Sequence, residues 1–403
     1  MKKEQINFIG GLWHGAFLAV GISLTQPTTV ISAFVAELTG STLWVGGLST
    51  VLTVAGALPQ LFVARWVEPR PQKMPYLLTA IYLRAASWGS LAVLIYCLGA
   101  DRPHTLAWAL IAMLVIFYAG GGLGSTPYTD IIGKIIPSDR RGAFFGGKEA
   151  LAGPLALGAA LTARYLLAEV SYPINYALLF GLAAVSLIAA SLGFLVIQEP
   201  HGARSERSAP DLKTYWNRIQ KAGSNLHPLI LIELFTGFSL MVLPFYVVYS
   251  RELLQAPLEA VGWFLLAQVL GGVLANLLWA RLVDQAGSRW MLVYCALLST
   301  LIPILAVILT PAGWPAMAAV FFLAGAAFNG RKVGFQSALL DLAPADERPT
   351  YAGLNAVLIL PLAFLPLAAG LLLQIISYPL LFILAGVFIA LGAVLSRRWA
   401  IKP

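Results

Sequence analysis

The sequence predicts an all-α membrane protein of about twelve transmembrane helices, arranged as two pseudo-symmetric six-helix bundles. Three observations predict this fold: a composition too apolar for water, apolar runs of membrane-spanning length, and an internal repeat. Of the 403 residues, 59% are hydrophobic and 11% are charged, whereas a soluble domain carries roughly 25% charged residues. Contact with lipid is the natural environment for such an apolar surplus.

Charge and cysteine usage agree with a membrane setting. The net charge is +8, but the basic residues stand in short patches between apolar runs, which argues against a nucleic-acid partner. Cys97 and Cys295 each lie inside an apolar run and are expected to be free thiols buried in the membrane. No cleavage site follows a short apolar core near Phe8, so the first span is expected to be a retained helix.

Apolar windows of about 20 residues define the predicted spans. They fall at 8–35, 43–66, 75–98, 105–130, 143–167, 172–198, 227–250, 258–282, 289–310, 314–340, 349–374 and 377–396.

The predicted domains are an N-terminal bundle at 1–198, a cytoplasmic linker at 199–225 and a C-terminal bundle at 226–403. Within the linker, Asp211 is placed to cap a short amphipathic helix that Gly223 ends. A disordered linker is the alternative.

Lysine and arginine predict the orientation. With the N-terminus inside, only Arg102, Arg164 and Arg251 fall in outside loops, while the remaining loop residues of these types fall in inside ones. Both termini are therefore expected to lie in the cytoplasm, and the protein is expected to reside in the inner membrane.

The second half of the chain repeats the first at charged, proline and glycine positions. Within each matching segment the two copies are separated by a constant number of residues. Because each half has six helices, an even number, both halves enter the membrane from the same side and the repeat is parallel. The matching segments are 60–68 with 276–284, 137–146 with 344–353, and 171–173 with 377–379, while Pro154 falls on Pro361.

One of these repeated segments contains a known loop signature. The loop after span 8 reads Ala280-Arg-Leu-Val-Asp284-Gln-Ala-Gly287-Ser-Arg289, and the loop after span 2 is a degenerate copy. With the topology and the repeat, the whole chain resembles a major facilitator superfamily transporter. The resemblance implies secondary transport by rocking of two halves about a central cavity, lined by spans 1, 4, 7 and 10.

Charges at the inside ends of the spans are candidates for a cytoplasmic gate. We expect Arg65 to pair with Asp130 and Arg281 to pair with Asp341, beside the signature residue Asp284. These pairs would form when the cytoplasmic side is shut and loosen when it opens. The alternative is that the charges only mark the membrane boundary.

Other motifs are weaker. Gly153-Pro154 resembles part of a motif of proton-coupled drug exporters and favours export slightly, while its repeat partner Pro361 suggests a kink in both halves. The segment 142–149 lacks the final Ser or Thr of a nucleotide-binding loop, so neither ATP nor another cofactor is expected. No nucleophile motif suggests an enzyme. The histidines at 14, 104, 201 and 227 are scattered and suggest no metal site.

Four charges lie inside predicted spans: Arg84, Glu233, Arg331 and Lys332. Each costs about 2.5–3.5 kcal/mol on insertion scales. In one interpretation Arg331 or Lys332 holds an anionic substrate and Glu233 exchanges a proton, since a carboxylate in a dry cavity has a raised pKa. In the other, Glu233 pairs with one of these cations between the halves and locks one state. Arg84 is expected either to snorkel toward the cytoplasm or to lie near the cavity.

Helical spacing gathers the other candidate site residues. A small, polar stripe of Gly21, Thr25, Thr29 and Ser32 runs along span 1, and His14 on the same span is a proton relay or, more simply, structural. The predicted substrate site comprises Thr25, Gln26 and Thr29, Tyr118 and Ser125, and Asn329, Arg331, Lys332 and Gln336.

The predicted function is secondary active transport of a small solute, coupled to protons, with a slight preference for export. A proton-coupled uptake symporter and a non-transporting sensor or assembly protein are the alternatives. Two halves that enclose one site need no partner, so a monomer is expected.

Overall fold

The computed structural model describes residues 3–67, 70–99, 101–137, 140–200, 212–344 and 348–399. This part of the chain is helical and has no strand. Eight of its helices are long and apolar enough to cross a membrane, one of them a 50-residue helix that covers two predicted spans. The all-α membrane fold predicted from the sequence is confirmed.

The chain divides into two compact units. The first comprises residues 1–41 and 51–207, and the second comprises 42–50 and 208–403. In the first unit, α1 packs on α6 and α7, while α4 packs on α5 and α7. Its helices are α1 (Lys3–Leu24), α2 (Ser32–Thr39), the later part of α3 (Thr42–Val67), α4 (Met74–Leu98), α5 (Pro103–Ile135), α6 (Arg141–Glu169) and α7 (Ile174–Leu195).

The second unit is organised around a long helix that contacts α12 and α15, and α15 in turn packs on α8. Its helices are α8 (Leu212–Thr236), α9 (Phe238–Val242), α10 (Phe245–Glu252), α11 (Glu259–Ile308), α12 (Met317–Leu342), α13 (Arg348–Leu358), α14 (Leu365–Leu372) and α15 (Tyr378–Arg398).

Span 1 is interrupted, which corrects the predicted polar stripe. Helix α1 ends at Leu24, Gln26 is extended, and a π-helical turn at Pro27–Ile31 leads into α2. Proline has no N–H and clashes with the preceding turn, so the helix breaks there. Thr25 and Thr29 therefore lie on either side of a break instead of along one helical face.

Proline acts differently at the two positions that the repeat pairs. Helix α6 continues through Pro154 as one helix, whereas Pro361 lies in a 3-10 turn, Leu360–Phe364, that separates α13 from α14. The kink expected in both halves is an interruption in the second unit only.

The linker prediction also needs correction. A single helix, α8, runs from Leu212 through Gly223 to Thr236, so no separate short helix ends at Gly223. Glycine lowers helix stability by only about 1 kcal/mol, which the flanking turns can tolerate. The predicted cap, Asp211, lies outside the described residues.

Helix α11 covers predicted spans 8 and 9 and breaks at the signature glycine. Gly287 has φ 81° and ψ 168°, a backbone conformation that glycine adopts without the steric cost other residues bear. The loop between the two spans is thus a sharp turn at this residue.

Close contact of α11 with α12 depends on Gly325, and this gives a prediction. A Cβ on Gly325 would lie 1.9 Å from the carbonyl oxygen of Gln268, whereas a Cβ on Gly158 of α6 would meet nothing within 4 Å. Because backbone atoms cannot move aside as a side chain can, we expect Gly325→Ala to lower the melting temperature by several degrees. Gly158→Ala is the matched control and should leave it unchanged or raise it slightly. Equal melting temperatures would contradict this packing.

Candidate functional site

The buried charges of the second unit meet between α8 and α12. Arg331 Nη2 lies 3.8 Å from Glu233 Oε1, and the two side chains are 11% and 8% exposed. Both residues belong to the same unit. One of the two interpretations placed this ion pair between the two halves. That location is wrong, because the pair lies within the second unit.

The Arg331 guanidinium does not donate its hydrogen bonds to the Glu233 carboxylate. Nη2 donates to the backbone oxygen of Glu233 at 2.8 Å, and Nη1 donates to the hydroxyl of Thr236. The guanidinium also lies 4.7 Å from the centroid of the Phe335 ring. Arg331 is held mainly by the end of α8, and the carboxylate of Glu233 is a neighbour at longer range.

The carboxylate of Glu233 has a second partner, which the sequence analysis did not single out. Asn355 Nδ2 on α13 donates to Glu233 Oε2 at 3.3 Å, while Asn355 Oδ1 is buried without a hydrogen-bond partner. The available signal was a lone amide within the apolar run of predicted span 11.

The predicted face of α12 divides into a buried and an exposed part. Lys332 and Gln336 are exposed in the second unit, whereas Asn329 is half-buried beside Gly272 of α11. The structure therefore places Arg331, and not Lys332, beside Glu233.

Two small cavities adjoin Arg331. One of about 20 Å³ is lined by Ser239, Tyr246 and Ser299, and another of about 10 Å³ is lined by Thr236 and Cys295. A cavity needs a volume of roughly 10–15 Å³ to hold one water molecule. Pockets that bind small-molecule ligands are usually much larger, about 300–1,000 Å³. Each cavity has room for about one water, and neither holds a solute within the second unit.

The two cysteines differ in how they pack against other helices. Cys295 is buried beside Gly330, whereas Cys97 is exposed on α4. We expect a thiol-reactive dye to label Cys97 in the folded protein and Cys295 only on unfolding. Cys97→Ser should thus abolish labelling at low temperature and keep it above the melting point. Rapid labelling of folded Cys97→Ser would contradict this assignment.

Candidate residues in spans 1 and 4 mostly make local contacts. The hydroxyl of Thr25 donates to Gly21 O at 2.9 Å, and that of Ser125 donates to Gly122 O at 2.9 Å. The hydroxyl of Thr29 is buried without a hydrogen-bond partner. Gln26 lies at the break after α1. These contacts place Thr25 and Ser125 as helix-bound hydroxyls.

His14 and Arg84 are both held inside the first unit. The Nδ1 atom of His14 lies 3.2 Å from Ala190 O, and its ring packs on Phe194, an arrangement that fits the structural interpretation. The Arg84 guanidinium lies 4.4 Å from the centroid of the Phe117 ring, above Gly120 and Gly121.

The first unit has a charge network at the end that carries the predicted cytoplasmic residues, here called the basic end. Glu199 accepts hydrogen bonds from the backbone N–H of Lys73 and Met74 at 2.9–3.0 Å, and its Oε1 lies 3.0 Å from Lys134 Nζ. Asp130 lies 3.1 Å from Lys73 Nζ and 2.7 Å from Lys134 Nζ. The network joins the ends of α4, α5 and the segment after α7.

This network adds two partners to the predicted gate residue Asp130. Asp130 is bound by Lys73 and Lys134, and the side chain of Arg65, its expected partner, lies outside the described residues. Glu199 was assigned only to the linker, although an acidic residue directly after an apolar span was a usable signal. Its carboxylate at the start of α4 is favoured by the partial positive charge of a helix N-terminus.

The second unit has a related but different arrangement at its basic end. Ser288 Oγ donates to Asp341 Oδ2 at 2.6 Å, and Arg289 Nη2 donates to Arg397 O at 2.7 Å. Arg281 and Asp284 are exposed. Among the described residues no ion pair joins Arg281 to Asp341, so this expected gate contact is not formed in this structure.

One family model matches the second part of the chain. Residues 229–403 match the model of the Major Facilitator Superfamily. No curated protein sequence is significantly similar to this chain.

Solved transporters share the fold over almost the whole chain. A bacterial homologue of the iron transporter ferroportin, crystallised in an inward-facing state, is 15% identical with a TM-score of 0.68, over 99% of this chain and 98% of that one. A variant of the nucleoside transporter NupG is 9% identical with a TM-score of 0.74, over 97% and 99%. A bacterial metal transporter is 13% identical with a TM-score of 0.59, over 100% and 99%.

The resemblance to the major facilitator superfamily is confirmed. The protein is thus a multi-pass membrane protein with a major facilitator fold. Within its described residues no group of three or more His, Cys, Asp or Glu side chains could hold a metal ion. At these identities the neighbours establish the fold alone.

Proposed function

We propose that this major facilitator protein is a secondary active transporter of a small solute. It works by alternating access of its two units and is coupled to protons through Glu233. It resides in the inner membrane with both termini in the cytoplasm, acts as a monomer and uses no ATP. Its preferred direction is export, with uptake by proton symport as the alternative.

The contacts of Arg331 are the observation that supports proton coupling best. Because its donors bind the Glu233 backbone oxygen and Thr236, the guanidinium keeps its hydrogen bonds whether the Glu233 carboxyl is ionised or protonated. The ionised form has the cation at 3.8 Å. A buried carboxyl that can change its charge without breaking its neighbour's hydrogen bonds suits reversible proton exchange.

Asn355 supports the same proposal. Its N–H donates to Glu233 Oε2, an arrangement that suits the ionised carboxylate. Since the two ends of an amide are nearly the same shape, reversal of the amide would offer its oxygen to a protonated carboxyl. That oxygen is buried and without a partner, so the residue has an acceptor available for the protonated state.

The neighbours do not select a substrate. By their names they are a homologue of an iron transporter, a metal transporter and a nucleoside transporter, and a shared fold hosts different substrates. A non-transporting sensor on the same scaffold would have no need for an exchangeable buried charge, which favours transport.

A substrate screen followed by flux measurement tests the proposal. Purified Cys97→Ser protein would be melted with the thiol dye in the presence of glucose, glutamine, succinate, tetraphenylphosphonium, uridine or Mn²⁺, across pH. A ligand at 100 times its dissociation constant stabilises by about 2.7 kcal/mol. The solute that stabilises should accumulate in proteoliposomes only under an imposed pH gradient. Binding without any movement across the membrane would instead indicate a sensor.

A further inference from the structure

Arg84 on α4 is a partly buried cation to which no described residue supplies a hydrogen-bond acceptor or a counter-charge. Its Nε atom is buried and has no hydrogen-bond partner, and within the described residues no ion pair or hydrogen bond involves this side chain. Its defined contact is the Phe117 ring at 4.4 Å. Arg331 differs, since it has two hydrogen bonds and a carboxylate nearby.

The surroundings of Arg84 are shaped to hold it. A Cβ on Gly120 would lie 2.9 Å from Arg84 Cγ, and a Cβ on Gly121 would lie 3.9 Å from Cζ and Nε. These two glycines of α5 leave the space in which the side chain lies. Tyr118, between Phe117 and the glycines in sequence, has its ring 5.2 Å from the ring of Phe117.

A charge in this position needs a reason. Buried polar groups are nearly always hydrogen-bonded, and charges within membrane spans mark substrate pathways by default. An aromatic face attracts a cation but does not neutralise it or accept its N–H groups. What the protein does not supply to Arg84 is an anion with acceptor oxygens.

We propose that Arg84 binds the anionic group of the transported solute. This inference rests on the proposed transport function and adds the chemical class of the substrate: an organic anion carrying a carboxylate or a phosphate. The planar fork of arginine donors matches either group in a bidentate manner, which a lysine does not.

Binding to the full-length protein in detergent tests the proposal directly. Benzoate, succinate and inorganic phosphate would be compared with benzamide and succinamide, with sodium chloride matching the ionic strength. We expect at least one anion to raise the melting temperature while its neutral analogue does not. Arg84→Met should weaken that binding at least tenfold, Arg84→Lys should weaken it less, and Arg102→Met, at an exposed position outside the spans, should not change it.

Stability without ligand separates binding from a structural role. If Arg84 serves an absent anion, the unliganded Arg84→Met protein should be as stable as the wild type or more so. The proposal is overturned if no anion stabilises the wild type, if Arg84→Met keeps the anion effect, or if the unliganded variant is less stable. An anion that binds through Arg84 but is not carried across proteoliposomes would instead refute transport and leave the binding site intact.

Discussion

Arg331→Met should lower the free energy of unfolding by about 3 kcal/mol, the range expected when a buried cation with charged hydrogen bonds is removed. The change leaves the backbone oxygen of Glu233 and the Thr236 hydroxyl without their donor. Thermal unfolding of Cys97→Ser protein, followed by dye labelling of Cys295, measures it.

The next residue provides the control. Lys332 is exposed, so Lys332→Met should change the stability by no more than about 0.5 kcal/mol. Glu233→Gln, which resembles the protonated carboxyl, should cost much less than Arg331→Met because the Arg331 hydrogen bonds remain. If Arg331→Met lowers the free energy of unfolding no more than Lys332→Met does, the contacts of Arg331 with the end of α8 are wrong.

Glu199→Gln should lower the free energy of unfolding by a similar amount, about 3 kcal/mol. The carboxylate is 4% exposed in its side chain, and it is the counter-charge of Lys134 and the acceptor for the start of α4. The glutamine amide keeps one acceptor oxygen. It loses the negative charge that Lys134 and the N-terminus of α4 require. The same thermal assay, with circular dichroism at 222 nm as a second probe because Cys295 lies in the other unit, measures the loss.

Glu169, exposed at the end of α6, gives the matched substitution. Glu169→Gln also removes one negative charge from the first unit and should change the free energy of unfolding by less than about 0.5 kcal/mol. Similar melting temperatures for the two glutamine variants would show that the network at the basic end contributes little.

Much of the fold could be predicted because membrane-spanning segments are set by simple apolar length. The break in span 1 was missed because spacing was counted through Pro27 as if the helix were continuous. Gly223 was given too much weight as a helix end, although glycine costs little inside a helix with stable turns on both sides.

The site could be predicted only in part. Buried charge is costly in a membrane, so Glu233, Arg331 and Arg84 stood out in the sequence. Which of two adjacent cations meets Glu233 depends on a rotation of about 100° between neighbouring helical positions, and only the packing of α12 against α8 settles it. Glu199 and Asn355 were missed because their importance comes from partners far away in the chain.

The most direct test of proton-coupled transport compares net flux with exchange in Glu233→Gln proteoliposomes, using the solute that stabilises the purified protein. Net accumulation under a pH gradient should be lost, because the variant cannot take up or release a proton at this site. Exchange of labelled for unlabelled solute should persist, since the two units can still alternate with solute bound. Undiminished accumulation under the pH gradient in Glu233→Gln would contradict the account.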